Sequence, residues 1–482
     1  MTGGAGGAAL PGYDPKAHGA GIVHLGLGAF HKAHQAVYTD DALAAAGGDW
    51  RIIGVSLRST EVAQVLQAQG NRFAVIERDS TGTSTRVIGA LAGALSLQDD
   101  RAAVLAALCA PTTRIVSLTV TEKGYGFDRA TGGIDRSHPA IAHDLATPCQ
   151  PIGAAGLLVW ALAQRRAAGI APFTVLCCDN LPDNGRMLRA LLQGFAAETA
   201  PDLLPLLRTQ VAFPATMVDR ITPASGPGTR ALALALTGQD DAAAVETERF
   251  RQWVIEDDFP TGRPAWDAGG ALFVADVTPY EEMKLRMLNG AHSMLAYAGF
   301  LAGHRHVRDV MQDAALARLV RRHMHAAAQT LAPVPGVDLT GYAEQLCRRF
   351  ENPHLAHETR QIAMDGTQKL PQRIFAPALE AMARGQSPEP FAFACAAWMR
   401  FALGVQDGGA DFDLRDPRAE EIRQALDGAR DTDAVIRALA ALPGFMPATL
   451  QGSDTWLGLV RGHLEVMRAQ GMRAAIEAAA AA

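Results

Sequence analysis

Four short apolar runs, Ile22–Leu27, Arg51–Leu57, Arg114–Val120 and Phe173–Cys178, most constrain what this chain can become. None alternates cleanly between apolar and polar residues, so none reads as a strand with one wet face. Such runs suit strands covered on both sides, as in a parallel sheet flanked by helices. Helical patterns separate them, for example over Thr60–Gln69 and Gly153–Ala167. From residue 276 the strand signal fades, and long amphipathic stretches follow over Val307–Thr330, Gly341–Phe350 and Thr455–Ala480. The expected fold is therefore α/β. A flexible arm over 1–20 precedes a mostly parallel sheet domain over 21–275, and a mainly α-helical domain occupies 276–482. The closing run Ala474–Ala482 reads as a fraying helix end or as disorder.

Composition narrows the classes of function. The chain is 49% hydrophobic and 20% charged, as an ordinary globular protein is. Its net charge of −6 argues against nucleic acid as a partner. The Gly/Ala-rich start lacks the basic and apolar segments of a signal peptide, and no apolar run reaches the roughly 18 residues of a membrane span. Six cysteines (Cys109, Cys149, Cys177, Cys178, Cys347, Cys395) show no CxxC spacing. They read as buried thiols of a reducing compartment. The expectation is a cytoplasmic protein, monomeric or weakly homo-oligomeric, that binds a small molecule and neither nucleic acid nor membrane. Of the 44 basic residues only five are lysine: Lys16, Lys32, Lys123, Lys284 and Lys369. Arginine keeps its proton near neutral pH, whereas a buried lysine can release it, so each retained lysine is a modest pointer to chemistry.

The first run leads into Gly26-Leu27-Gly28-Ala29-Phe30-His31, with a helical pattern from Ala33. A glycine pair there lets the backbone turn tightly and approach a pyrophosphate at a helix start. His31 replaces the third glycine of the usual fingerprint, leaving Gly-x-Gly as a Rossmann-like nicotinamide dinucleotide site. The second run ends in Ser56-Leu57-Arg58-Ser59-Thr60 with no acid before Glu61. An acid would bind the adenine ribose, and an arginine would accommodate a 2′-phosphate. Arg58 thus reads either as a mark of NADP or dual use, or as a plain surface residue.

Two other strand ends carry polar clusters, Thr121-Glu122-Lys123-Gly124-Tyr125 and Asp179-Asn180-Leu181-Pro182-Asp183-Asn184-Gly185. Ligands bind outside the carboxyl ends of strands in open α/β sheets. Asp183, Asn184 and Gly185 read as loop and cap residues, and Asn180 as the better candidate. The densest segment is Thr278–Ser293, where Thr278, Pro279 and Glu281 read as N-cap, N1 and N3 of a helix running to about Gly303. At about 100° per residue, Asn289 lies roughly 140° and His292 roughly 80° from Lys284, all on one broad face. Arg286, about 200° from Lys284, turns elsewhere. The face reads either as a satisfied polar network or as acid/base machinery. In the second case a desolvated lysine, its pKa lowered toward about 7–8, exchanges a proton with a carbinol oxygen, while amide N–H groups hold the developing alkoxide. No metal is expected: His31 and His34 lack carboxylate or thiolate partners, and His304/His306 and His323/His325 read as exposed helix ends.

With these segments in hand, the chain resembles the polyol-specific long-chain dehydrogenase family. The matching stretches are Gly26–Tyr38, Ser117–Tyr125, Phe173–Gly185, Phe213–Pro223, Val254–Pro264, Val277–Ser293 and Gln361–Arg373. The resemblance implies a metal-independent NAD(P)-linked dehydrogenase with a Rossmann-like N-terminal domain and a helical C-terminal one. It implies that Lys284 is the catalytic lysine, that Asn180 and Asn289 hold the oxyanion, and that His292 binds substrate. Glu122 falls on the proton-path glutamate and Asp219 on the aspartate of the Val-Asp-Arg signature. Gly26, Gly28, Ala29, Phe30, Arg58 and Asn180 are expected at the cofactor, and Arg360, Lys369 and Arg373 at the substrate. Ala29 stands where many mannitol dehydrogenases carry Asn, and it favours the fructuronate reductases, whose substrate carboxylate would give those cations a partner. The expected reaction is reversible hydride transfer between NAD(P)H and a sugar-acid ketone, D-fructuronate to D-mannonate. A mannitol or D-arabinitol dehydrogenase is the alternative, and an epimerase or isomerase retaining NAD a more distant one.

Overall fold

The computed structural model describes residues 8–129, 131–354 and 356–482. Its contacts divide the chain into two compact units, Met1–Thr278 and Pro279–Ala482. The first is built on five strands: β1 (Ala20–Leu25), β2 (Arg51–Ser56), β3 (Leu91–Ser96), β4 (Ile115–Leu118) and β5 (Thr174–Cys177). They pair in the order β3-β2-β1-β4-β5, and every pairing is parallel. The four apolar runs of the sequence are four of these strands. Successive residues feed opposite layers. Val23, Leu25, Val116, Leu118 and Val175 face one apolar cluster with Leu158, Leu162 and Leu188. Ile22, Ile52, Ile115 and Leu176 face another with Val37, Tyr38 and Trp253. A sheet buried on both faces needs no polar alternation, which is why none shows in the runs.

From β1 the chain builds outward through β2 and β3, then returns to start β4 on the other side of β1. The strand ends of β1 and β4 thus flank a topological switch point, where open α/β sheets bind their ligands. Three smaller sheets accompany the main one among the described residues. One joins Phe73–Asp79, Gly82–Ile88 and Val245–Thr247, a second joins Thr216–Asp219, Gln252–Glu256 and Leu272–Val274, and the third pairs Phe127–Asp128 with Gly133–Ile134.

The second unit is helical, and several helices differ from the sequence expectation. Val307–Thr330 is two helices, Val307–Gln312 and Ala314–Gln329, because the Asp313 carboxylate accepts from the N–H groups of Ala315 and Leu316 and caps a new start. Thr455–Ala480 also divides, at Gly471 (φ +88°), where Asp407 accepts from Met472 N–H at 2.6 Å. The tail is neither frayed nor disordered. Met472–Ala481 is a helix that buries Met472, Ala475, Ile476 and Ala479. His323 is no exposed helix end either: it is 1% exposed, its ring edge-on to Phe391.

The largest departure lies at Thr278–Gly303. The chain is α-helical over Thr278–Met283, π-helical over Lys284–Asn289 and α-helical again over Gly290–Leu301. The first helix already includes Thr278, and Asp276 Oδ1 accepts the Thr278 N–H at 2.9 Å, so Thr278 is not the N-cap. A second π-helical turn, Pro371–Phe375, packs against the first. Among the described residues, no helix is long and apolar enough to cross a membrane. Of the lysines, Lys16 and Lys123 are exposed, whereas Lys32 is buried with its Nζ donated to Ala243 O at 2.6 Å.

Candidate active site

The turn after β1 has the shape that its glycines suggested. Gly26 sits at φ +107°, and a Cβ there would run into the Thr119 carbonyl oxygen, so only glycine fits. Gly28 has an ordinary φ of −106°, and a Cβ on it would meet only Gly26 O at 3.8 Å. Its value is the open space left above the backbone, which a pyrophosphate can approach. A short helix, Ala29–Ala33, follows at once, with Ala29 and Phe30 half-buried. His31 takes over the helix–strand packing of the missing glycine by stacking on His24 at 3.5 Å between ring centroids. Arg58 stands exposed in the bend after β2. The residues of this turn fit a dinucleotide.

The neighbouring strand ends are tied together by a residue that sequence reasoning treated only as part of a polar loop. Asp179 accepts from Val120 N–H at 2.8 Å, from Thr121 N–H at 3.2 Å and from Tyr125 Oη at 2.7 Å. These bonds hold Thr121 at φ +67°, a conformation that a β-branched residue rarely adopts. Burial raises the Asp179 pKa, and the three donors oppose that rise. Asn180 follows directly and is exposed at the end of β5. Asn184 is structural, as expected: its amide donates to Thr216 O at 2.9 Å and accepts from Thr216 N–H at 3.0 Å. Glu122 lies in a single exposed turn and pairs with Arg129 at 2.8 Å. Asp219 is buried at the end of Thr216–Asp219, on a different sheet, within electrostatic reach of His34 and Tyr38.

In the helical unit, π winding corrects the angular estimate made for a uniform α-helix. A π-helix closes its hydrogen bonds from i to i+5, so each residue turns through less than it does in an α-helix. Asn289, five residues after Lys284, therefore returns to nearly the same side instead of standing well around the barrel. Lys284 is 7% exposed and Asn289 half-buried. Arg286 does turn elsewhere, donating to Thr330 O at 2.9 Å.

His292 is buried and stacks on Phe350 at 4.4 Å, with His357 edge-on at 5.4 Å. Its Nε2 is buried without a hydrogen-bond partner among the described residues. Burial lowers its pKa well below the usual value, and His357, Arg349, Arg373 and Lys369 lower it further. Lys369 is itself held down to about 8 by burial and by Arg373, and its Nζ donates to Met364 O at 2.5 Å. Burial lowers Arg373 to about 10, and its Nη1 reaches Asn289 O at 3.4 Å and Ser293 Oγ at 3.3 Å. Arg360, on the short helix Thr359–Ile362, is half-buried with Nε lacking a partner among the described residues. The packed π turns bring Arg373 to Asn289 and Ser293, with Lys369 and His292 within electrostatic reach of it, and Lys284 opens the π turn that Asn289 closes. Arg349 and His357 join them unforeseen; one lies on an amphipathic helix and the other in a loop, where nothing local marks them.

Residues 20–268 match the mannitol dehydrogenase Rossmann domain, and residues 276–446 match the mannitol dehydrogenase C-terminal domain. The D-mannonate oxidoreductase of Escherichia coli strain K12 is 41% identical over 475 residues, covering 98% of this chain and 98% of that protein. The mannitol 2-dehydrogenase of Cereibacter sphaeroides is 41% identical over 438 residues, covering 90% of this chain and 91% of its own. Among solved structures, the Pseudomonas fluorescens mannitol 2-dehydrogenase ternary complex with NAD and D-mannitol superposes with a TM-score of 0.84 at 38% identity, covering 98% of this chain and 96% of that one. With both domains matched in order over most of its length, the chain belongs to the mannitol dehydrogenase family and is a secondary-alcohol dehydrogenase.

Proposed function

We propose that this dehydrogenase interconverts D-fructuronate and D-mannonate with NAD as its cofactor. The observation that carries the sugar acid over a neutral sugar is the buried positive charge around His292. Arg349, Arg373 and Lys369 all depress its pKa, and Lys369 and Arg373 are themselves lowered although Asp365, 4.0 Å from Lys369, and Asp416 both favour the charged lysine. Burial and the mutual repulsion of the cations outweigh those two carboxylates, so the group gains by acquiring another anion, which a uronate brings and a polyol lacks.

NAD, when bound, supplies or accepts the hydride. The Gly26–Gly28 turn, with Ala29 and Phe30, is the proposed seat of its pyrophosphate. Lys284 is assigned the proton of the carbinol oxygen, and Asn289 the hydrogen bond that holds that oxygen as charge develops on it. Asn180 is assigned the same task on the family resemblance alone. His292, kept neutral by its surroundings, orients a substrate hydroxyl; Arg360, Lys369 and Arg373 read the carboxylate. Glu122 is assigned to proton exchange with solvent, which its exposure suits, and Asp219 to support of the substrate side. Six free cysteines, four of them buried, suit the cytoplasm as the setting.

The likeness to the D-mannitol complex favours a polyol as the second reading. Initial rates with D-fructuronate, D-fructose and D-mannitol, each with NAD(H) and NADP(H), decide between them. The sugar-acid reading expects kcat/KM for fructuronate to exceed that for fructose by about a hundredfold or more. Equal rates, or preference for fructose and mannitol, would sink it. Substrate turnover without net loss of NADH would point to an epimerase instead.

A further inference from the structure

His24 is a histidine in the middle of an apolar strand, 0% exposed. Its register partner across the switch point is Ser117 of β4, and its Nδ1 lies 2.8 Å from Ser117 Oγ. Its Nε2 lies 2.8 Å from Thr119 Oγ1 and 3.1 Å from Gly26 O, while the Thr119 hydroxyl donates to Gly26 O at 2.8 Å. The protons follow by elimination. Gly26 O can only accept, and it takes the single hydroxyl proton of Thr119. Thr119 Oγ1 is then an acceptor toward His24, so Nε2 carries the ring proton. Nδ1 must accept, and it takes the Ser117 proton. The Gln35 amide faces Ser117 Oγ at 2.9 Å with its Oε1, which would also claim the Ser117 proton, and leaves its Nε2 buried without a partner. Turning the amide over, an exchange of atoms of nearly equal size, puts Nε2 at Ser117 as a donor, satisfies that nitrogen and frees the Ser117 proton for His24. His31, stacked on His24 with 15° between the ring planes, fixes the ring's tilt.

The relay therefore runs one way, from Gln35 through Ser117 and His24 to the Gly26 carbonyl. Gly26 O also accepts the Gly28 N–H at 2.7 Å. Every donor to that oxygen comes from beneath the turn or from within it, and together they hold Gly26 at φ +107°.

We propose that His24 is a positioning residue for the dinucleotide: by fixing the Gly26 carbonyl inward, it presets the glycine turn for the cofactor pyrophosphate. A turn already ordered spares the cofactor the entropy of ordering it on binding. His24 acts only through Gly26 and Thr119, and the proposal rests on reading that turn as the NAD site.

The test is NADH affinity by fluorescence titration, with KM and kcat for NADH and the sugar substrate and a melting curve, for wild type, His24→Leu, His24→Gln and Thr119→Val. His24→Leu and Thr119→Val should raise Kd and KM for NADH about tenfold. In both, kcat and the sugar KM should stay within about twofold. His24→Gln should recover most of the affinity, because its side-chain N–H replaces the ring Nε2–H. Unchanged NADH affinity in Thr119→Val and His24→Leu, or equal losses in His24→Leu and His24→Gln, would overturn the proposal. If His24→Leu does not fold, Thr119→Val at the half-buried rim decides alone. Wild type that binds no NADH would instead overturn the reading of the turn.

Discussion

Lys284 is the residue on which the proposed chemistry turns. Lys284→Ala should lower kcat by about 10²–10⁴, the usual contribution of a positioned acid/base group, while leaving NADH affinity unchanged. Stopped-flow rates beside a fluorescence titration check both halves, and retained turnover would remove Lys284 from the mechanism. Lys369 gives a pH signature. Its pKa is lowered to about 8, so it carries charge below that pH and loses it above. Its attraction for a carboxylate should therefore fade as pH rises through about 8, while a neutral ketose feels no such loss. The ratio of kcat/KM for fructuronate to that for fructose should fall over that range, and a flat ratio would exclude Lys369 as the carboxylate reader. Lys284 and Lys369 were legible because lysine is scarce in this chain. His24 and Asp179 were not, since their roles come from Ser117, Thr119, Val120 and Tyr125, some 54–95 residues away.

At the scale of elements, the helix after Thr278 was legible in place but not in winding. Composition does not distinguish a π turn from an α turn; a shifted hydrogen bond is retained where packing rewards it, often at functional sites. Here the reward is visible at Gly290, where the two π turns meet. A Cβ on Gly290 would stand 2.9 Å from His323 Nε2 and 3.0 Å from Arg373 O. The arginine contact is backbone and cannot swing aside. Gly290→Ala should therefore destabilise the helical unit by about 1–3 kcal/mol. It should also lower kcat, because Asn289 precedes it and Lys284 lies in the same turn. Urea unfolding and steady-state rates measure the two effects. Wild-type values in both would mean that the π turns tolerate separation. Breaks at Asp313 and Gly471 had local signs, a capping acid and a glycine, that unbroken amphipathic periodicity concealed.

For the whole molecule, the main sheet was legible because burial on both faces leaves plain apolar runs. The two three-stranded sheets were not, because their strands are short and pair residues far apart in sequence, as Thr216–Asp219 does with Gln252–Glu256. The buried histidines set a global pH response. Burial lowers His24 and His34 to about 3 and His323 to about 4, and carries His31 and His292 well below the usual value. Unfolded, each would titrate near 6.5, so between those values the unfolded chain binds more protons than the folded one. The stability they contribute is complete above about pH 6.5 and is lost progressively as pH falls toward the folded values. The urea midpoint should drop between about pH 7 and pH 5, and a constant midpoint would show these rings to be solvated. The lysine distribution has a practical side. Lys32 and Lys284 are buried and Lys369 is engaged with backbone carbonyls, so the exposed side-chain amines are those of Lys16 and Lys123, both on the α/β unit. An amine-reactive resin would thus take hold of the protein by that unit, whereas a small dye at about pH 8 would also find Lys369, whose lowered pKa leaves more of its amine unprotonated.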